Sequence, residues 1–210
     1  NVASCFNDLL SRRIPATHRK GRAKRTQPSQ ARRRIYQLKI TLLGIEPPIW
    51  RRVQVEDCSL VKLHGVVQVA MGWKDEHLYD FEIKGQRYCD PGRLNDLDMA
   101  DAGQTKLSQV ITRKGAKIRY RYDFGDEWRH EIVVEQITTP EEGREHPICL
   151  DGGRACPPED IGGVGGYYDY VEAIRDPSHR RHEDYRGWVG EFDPEAFDLD
   201  AMNEGLRRLR

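Results

Sequence analysis

Alternating apolar and polar residues predict β-strands over most of the first two thirds of the chain. In YQLKITLL (residues 36–43) every second residue from Tyr36 to Leu42 is apolar, which is the period of a half-buried strand. A turn that contains two prolines leads to IWRRVQVE (residues 49–56), which has the same alternation. The two segments are therefore predicted to pair as an antiparallel hairpin.

The same alternation predicts two further hairpins. One joins residues 77–83 to residues 86–89 through a Lys84-Gly85 turn. The other is the clearest in the chain: KIRYRYD and EWRHEIVVEQI flank the three residues FGD. A three-residue loop that contains glycine suits a hairpin with a bulge.

Helical spacing predicts one helix between the first two hairpins and a helical C-terminal third. Ser59 is placed to cap a helix that Gly72 ends, and Thr105 is placed to cap a short helix through Ile111. Three helices are predicted after Gly166. They cover residues 167–175, residues 179–189, and a segment behind an Asp198 cap in which Leu199, Met202, Leu206 and Leu209 form a stripe.

These elements predict an α+β fold, with a mainly antiparallel sheet, helices packed on one face and a C-terminal helical cluster. A chain of 210 residues with 38% hydrophobic residues has room for one domain and a tail. We predict that residues 35–210 form the domain and that residues 1–34 form a leader.

Charge is distributed unevenly, although the chain is formally neutral. The leader holds ten of the 34 Lys and Arg residues and one of the 34 Asp and Glu residues, so its net charge is +9 and that of the remainder is −9. Because the leader has few apolar residues and no regular period, it is predicted to be disordered. The run from Arg12 to Arg34 offers cations to nucleic-acid phosphates, although a solubilising extension or a transit peptide has the same composition.

No apolar run approaches the length of a membrane span, and no signal-peptide pattern is found. The five cysteines are scattered rather than arranged as a secreted disulfide framework. We therefore expect a cytoplasmic protein.

The least regular segment is CLDGGRACPPEDIGGVGG (residues 149–166), which is rich in glycine and proline and is predicted to be neither helix nor strand. A loop of this length inside a compact domain is usually functional or disordered. We predict an ordered crossing piece, held against the sheet, that fixes the position of the helical third.

Four ordered motifs make residues 35–209 resemble the plasmid pRiA4b ORF-3-like family, which includes proteins labelled insertion-element passenger TnpR. The motifs are YQLKITLLGIEPPIWRRVQV, LHGVVQVAMGW followed by HLYDFEI, YDFGDEWRHEI, and CLDGGRACPPEDIGGVGGYYDYVEAIRDPSH with GEFDPEAFDLDAMN. The resemblance implies a plasmid or mobile-element setting rather than a chemistry. The TnpR label implies a resolvase, but a serine resolvase has an N-terminal catalytic domain and a C-terminal helix-turn-helix, and the predicted elements follow neither order.

Asp123, Asp126 and His130 flank the FGD turn. Carboxylates beside an imidazole suit a divalent metal or an acid–base pair. Strand alternation places Asp123 and His130 on different faces, so the three converge only if the bulge redirects them. Asp126 is also a residue that a tight turn uses for its own backbone hydrogen bonds, and this structural interpretation is favoured.

Cys149 and Cys156, with His146 nearby, offer ligands for zinc in the irregular segment. His179 and His182, three residues apart on a predicted helix, are further candidate ligands. The cysteine spacing is not that of the usual structural zinc sites, and two small buried thiols explain it as well.

The glycines of GGVGG (residues 162–166) open a predicted helix, where free amides attract phosphate. Glu159 and Asp160 would repel an anion, so close passage of the chain against the sheet is the favoured interpretation. The tryptophans are expected in the core, although Trp and Tyr also anchor partners. His64 and His77 are expected to be surface or hydrogen-bonded residues.

Two functions fit these observations. The first is a non-enzymatic interaction module, whose acidic body binds a protein partner and whose leader contacts nucleic acid. The second is a metal-dependent hydrolase or nuclease that uses Asp123, Asp126 and His130, with Glu159 and Asp160.

Overall fold

An eight-stranded sheet organises residues 33–93 and 98–209, which are those that the computed structural model describes. The strands are β1 (Ile35–Leu42), β2 (Ile49–Glu56), β3 (Tyr79–Ile83), β4 (Gln86–Cys89), β5 (Ala100–Asp101), β6 (Lys117–Tyr122), β7 (Trp128–Thr138) and β8 (Ile148–Gly153). They lie in the order β5-β4-β3-β6-β7-β1-β2-β8, and only the β4–β5 pair is parallel among these strands. The predicted leader lies outside the described residues, apart from Arg33 and Arg34.

All three predicted hairpins are confirmed, as the pairs β1–β2, β3–β4 and β6–β7. The long strands β1, β2, β6 and β7 bury alternate residues over most of their length, so Tyr36 and Leu38 of β1 lie in the core while Gln37 and Lys39 do not. One face of the sheet is therefore apolar, and the other carries polar and charged side chains.

Five helices complete the described chain: α1 (Leu60–Met71), α2 (Leu107–Val110), α3 (Gly163–Arg175), α4 (His182–Val189) and α5 (Leu199–Arg207). The predicted caps of the first and last helices are confirmed, since the side chains of Ser59 and Asp198 accept backbone N–H groups. The short α2 follows Lys106 rather than Thr105, because the Thr105 hydroxyl donates to the Asp101 carbonyl instead. None of these helices has the length and apolar character needed to cross a bilayer.

The helices pack on the apolar face of the sheet, as the predicted α+β class requires. The α1 helix lies across this face, where the Arg51 Nε of β2 donates to the Ala70 carbonyl at 2.9 Å. The α5 helix lies against β8, where the Asn203 side chain both accepts from and donates to the backbone of Cys149. The Asn203 contacts connect the helical third to the edge of the sheet.

Residues 149–166 contain regular structure at both ends, so the prediction of neither helix nor strand is wrong there. β8 pairs with β2, and glycine in β8 lets another residue approach this edge strand: a Cβ on Gly152 would lie 2.6 Å from Phe197 Cζ. At the other end, α3 begins at Gly163. The middle is packed as predicted, since the indole of Trp73 donates to the Pro157 carbonyl and Ile161 is buried.

Candidate metal centre

The turn between β6 and β7 lies against the loop that leads into α3. Asp126 Oδ2 accepts from the Gly162 N–H at 3.0 Å, across 36 positions of sequence. A Cβ on Gly163 would lie 2.5 Å from the Asp126 carbonyl oxygen, and its φ of +67° also favours glycine. The FGD turn and the glycine-rich segment therefore form one surface.

The imidazole of His77, just before β3, points into this surface between three carboxylates. Its Nε2 atom lies 3.0 Å from Asp160 Oδ1, 3.6 Å from Glu159 Oε2 and 3.7 Å from Asp123 Oδ2. This nitrogen is buried and within ion-pair distance of all three carboxylates, but none of them has hydrogen-bond geometry toward it. The ligand atoms of His77, Asp123 and Asp160 lie within 4.8 Å of one another, and residues 33–93 and 98–209 contain no other such group of three His, Cys, Asp or Glu side chains.

Asp123 is oriented by its own turn. Its φ is +55°, a conformation that Asp adopts more readily than most residues. Its Oδ1 accepts from the N–H groups of Gly125, at 2.8 Å, and Asp126, at 3.3 Å. The second oxygen, Oδ2, is thereby left facing His77.

Glu159 is held by a separate set of hydrogen bonds. Its Oε1 accepts from the Lys74 N–H at 2.8 Å and from the Tyr122 hydroxyl at 3.2 Å. The same hydroxyl accepts from the N–H groups of Glu76 and His77. Burial, and after it the Glu159 carboxylate, raises the pKa of Tyr122 above its ordinary value, so the hydroxyl stays protonated and orients Glu159.

The dimensions and donor types suit a divalent metal. Ligand atoms about 2.1 Å from an ion are about 3.0 Å apart in an octahedral site and about 3.4 Å apart in a tetrahedral one. The separations of 3.0 and 3.7 Å from His77 Nε2 to Asp160 and Asp123 are close to that range. One imidazole and two carboxylates suit zinc or manganese. The Asp160 side chain is 60% exposed, so the centre is open to solvent on that side.

A cleft of about 730 Å³ lies beside this centre, and Glu159 and Asp160 line it. The other walls come from the end of α1, residues 155–158 and the α4–α5 region. They are mainly apolar and include Trp188, whose side chain is 55% exposed. Glu159 and Asp160, two of the four residues of the candidate centre, therefore lie at the polar end of a largely apolar cleft.

The structure brings Asp123 and Asp126 together but places His130 elsewhere. The His130 ring lies in the core, edge-on to Trp73 with 5.4 Å between ring centroids. Burial lowers the pKa of His130 to about 3, so the imidazole is neutral at ordinary pH. Asp126 supports the chain at Gly162, and only Asp123 of the three belongs to the candidate centre.

The candidate zinc ligands do not come together. Cys149 Sγ donates to the Asp151 carbonyl, and Cys156 Sγ lies 3.2 Å from the sulfur of Met71. Burial raises the pKa of the Cys156 thiol to about 11, which keeps it protonated. None of the five residues proposed from the sequence belongs to the three-ligand group of the described chain: Cys149, Cys156, His146, His179 and His182.

The sequence did not predict His77 as a ligand. No local pattern connects it with Asp160, because the tertiary fold alone brings the two segments together. One signal was available: acidic pairs stand in both irregular segments, at Asp123 and Asp126 and at Glu159 and Asp160. Adjacent loops that both carry carboxylates are where a histidine partner could have been sought.

Comparison with known proteins supports the fold, and the matched residues include those of the candidate centre. The family model for plasmid pRiA4b ORF-3-like protein matches residues 34–201, which include His77 and the three carboxylate residues around its Nε2 atom. The uncharacterized protein y4hQ of Sinorhizobium fredii (strain NBRC 101917 / NGR234) is 38% identical over an alignment of 179 residues, and the match covers 83% of this chain and 92% of that protein. The crystal structure of MM3350, a protein of unknown function from Methanosarcina mazei Go1, has 38% identity and a TM-score of 0.73, and the match covers 80% of this chain and 97% of that one.

Proposed function

This chain belongs to the plasmid pRiA4b ORF-3-like protein family, and we propose from its geometry that it is a metal-dependent hydrolase with His77, Asp123 and Asp160 as metal ligands. One observation carries the proposal. The buried His77 Nε2 has no hydrogen-bond partner in the described chain, yet faces three carboxylate oxygens. A buried polar atom in such surroundings needs a partner, and a cation satisfies the nitrogen and the carboxylates together.

Three protein ligands with an open side are the usual arrangement of a catalytic zinc site. A divalent ion there lowers the pKa of a bound water and polarises a carbonyl or phosphoryl oxygen. Glu159 is the candidate general base, since its Oε2 faces the centre while Oε1 accepts from the Lys74 N–H. The Tyr122 hydroxyl lies within hydrogen-bond distance of both oxygens and holds the carboxylate in place. The roles of ligand and base thus fall on different carboxylates.

The test is metal content and turnover on the same samples. After loading with zinc or manganese and dialysis, the wild-type protein should retain about one ion per chain and hydrolyse 4-nitrophenyl esters. His77→Ala should lose the ion, whereas Glu159→Gln should keep it and lose at least about 100-fold in turnover, as expected for a general base. His179→Ala is the control, because His179 lies outside the centre. A wild-type protein without bound metal, or a His77→Ala variant with normal content, contradicts the proposal.

A second function, nucleic-acid binding by the basic leader, is favoured by the net charge of +9 on residues 1–34. Cations that contact phosphates release counterions, so such binding weakens steeply with salt. A salt titration of DNA binding, with and without residues 1–34, tests it: truncation should abolish binding, and unchanged binding would exclude the leader as the binding segment. A protein partner and a cytoplasmic location stay predictions.

A further inference from the structure

We propose that the cleft selects the substrate class of this hydrolase: a small acyl compound whose apolar chain or ring lies in the cleft and whose ester or amide carbonyl lies at the centre. This inference rests on the proposed metal centre. The cleft volume of about 730 Å³ is within the range of sites for small molecules.

The two ends of the cleft differ in polarity. Beside the centre it is lined by Lys74 and Glu76 as well as Glu159 and Asp160. Away from the centre the walls are largely apolar, with one further carboxylate at Asp198, and include Val69, Met71, Trp188, Val189, Phe192 and Met202. A ligand that matches both ends has one polar group and an apolar body.

The charged side chains that line the cleft determine which charge the polar group of the ligand can carry. The lining carries two cationic side chains, Arg51 and Lys74, and four acidic ones, Glu76, Glu159, Asp160 and Asp198. With the metal ligand Asp123 added, the net charge is −3 without the ion and −1 with a divalent ion, so the ion weakens the repulsion of carboxylates. Binding of a carboxylate product should therefore depend on the metal.

Arg51 adds a fixed positive charge at the wall of the cleft. It is 3% exposed, and its guanidinium donates to the carbonyls of Ala70, Trp50, Gly153 and Arg154 and to the sulfur of Cys156. All five donors of the side chain are thus used, so Arg51 does not bind a ligand directly. Its charge, which no carboxylate neutralises among these partners, favours an electron-rich carbonyl or carboxylate nearby.

Trp188 lies at the mouth of the cleft. Its indole is more than half exposed, whereas Trp73 and Trp128 are buried. An exposed indole on the wall of an apolar cleft gains contact area when an apolar group enters. Its fluorescence therefore reports occupancy.

The reaction is hydrolysis and needs only water. The water oxygen bonds to the carbonyl carbon as one proton passes to Glu159. The bond from that carbon to the ester oxygen or amide nitrogen then breaks, and the proton is delivered to the departing alcohol or amine. The products are the alcohol or amine and a carboxylic acid, which releases the second water proton to solvent as it ionises. The apolar part of the resulting carboxylate remains in the cleft.

The probe for the cleft is 4-phenylbutyrate, which imitates the carboxylate product. Titration into zinc-loaded protein should change Trp188 fluorescence with saturation. Affinity should fall at least tenfold for 4-phenylbutanol, which lacks the carboxylate, for butyrate, which lacks the ring, and for protein from which the metal was removed. Equal affinity for 4-phenylbutyrate with and without metal would overturn the inference.

Ala201→Phe in α5 fills the cleft, because Ala201 lines it. This variant should retain one ion per chain and bind 4-phenylbutyrate at least tenfold more weakly, as measured by calorimetry. Arg207→Phe adds the same ring to an exposed position of α5 outside the cleft and should bind normally. A protein that binds metal but not 4-phenylbutyrate overturns the substrate class alone, whereas a protein that binds no metal overturns the proposed function.

Discussion

Asp123 serves the turn with one oxygen and the candidate centre with the other. Oδ1 accepts two N–H groups of the turn, and Oδ2 faces His77. Because the two roles use different atoms, one substitution can separate them. Asn keeps an acceptor for the turn and tolerates the positive φ, but it removes the negative charge.

We therefore predict that Asp123→Asn loses metal affinity and keeps most of its stability. Affinity for zinc or manganese should fall by about 100-fold, while the free energy of unfolding without metal should change by less than about 1 kcal/mol. Calorimetric titration and urea unfolding measure the two quantities. Equal metal affinity in the variant would remove Asp123 from the centre.

His130 makes stability depend on pH. Its pKa is about 3 in the folded chain and about 6.5 in an unfolded one, so the unfolded chain takes up the proton first as pH falls. The contribution of the neutral, buried ring to the stability of the protein is fully present above the pKa of the unfolded chain. It is lost as pH falls from there toward the pKa of the folded chain. Between pH 7 and pH 5 this loss amounts to about 2 kcal/mol.

His130→Phe should remove this part of the pH dependence, because the position is surrounded by Trp73 and Tyr120 and accepts a neutral ring. Urea unfolding at pH 7 and pH 5 should give a difference about 2 kcal/mol smaller in the variant than in the wild type. Burial also lowers the pKa of His64. Because His64 is present in both proteins, its contribution to the pH dependence cancels in this comparison. An unchanged difference would mean that His130 is not buried neutral.

At the scale of elements, the start of α3 sets the position of Glu159 and Asp160. A Cβ on Gly166 would lie 1.9 Å from the Ile161 carbonyl oxygen, so this residue allows the loop to close on the helix. A Cβ on Gly165, one position earlier in the same helix, would meet no atom of the surrounding described residues within 4 Å. Alanine substitutions at Gly166 and Gly165 therefore distinguish the effect of close packing from the effect of helix propensity.

Gly166→Ala should destabilise the protein by roughly 2–3 kcal/mol, because the loop must shift to admit the methyl group. Gly165→Ala should stabilise it by up to about 1 kcal/mol, since alanine favours the helix and meets no obstacle. Chemical denaturation of both variants measures these changes. Similar effects in the two variants would contradict the close approach of residues 161 and 166.

Most elements were predictable because local sequence encodes them. The hairpins follow from strands that bury one face, and α1 follows from its Ser59 and Gly72 caps. β8 was missed because it is an edge strand that ends in two glycines, which resemble a loop when their neighbours are unknown. Gly152 allows Phe197 to pack closely against β8, and this contact joins residues that are far apart in the sequence.

The candidate centre was predictable only in part, for the same reason. Asp123 stands in a recognisable turn and Asp160 in a recognisable loop, but their approach to His77 results from the tertiary fold. His130 could be separated from Asp123 by strand alternation, and the core position of its ring agrees with that. The candidate zinc ligands were chosen by residue type, and residue type alone does not show how far apart the side chains lie in the folded chain.

At the scale of the whole molecule, one sheet and one crossing loop assemble the centre. The segment just before β3 supplies His77, the β6–β7 turn supplies Asp123, and the loop before α3 supplies Asp160. The α1 end and the α4–α5 region add the walls of the cleft. A function of the assembled centre therefore requires the entire domain rather than any one motif.

The most direct test of the metal centre is anomalous diffraction from crystals of the wild-type protein soaked in manganese or zinc. The predicted result is one strong anomalous peak about 2.0–2.3 Å from His77 Nε2, Asp123 Oδ2 and Asp160 Oδ1. A metal peak elsewhere, such as at Cys149 and Cys156, or no peak at these three atoms in fully soaked crystals, would contradict it.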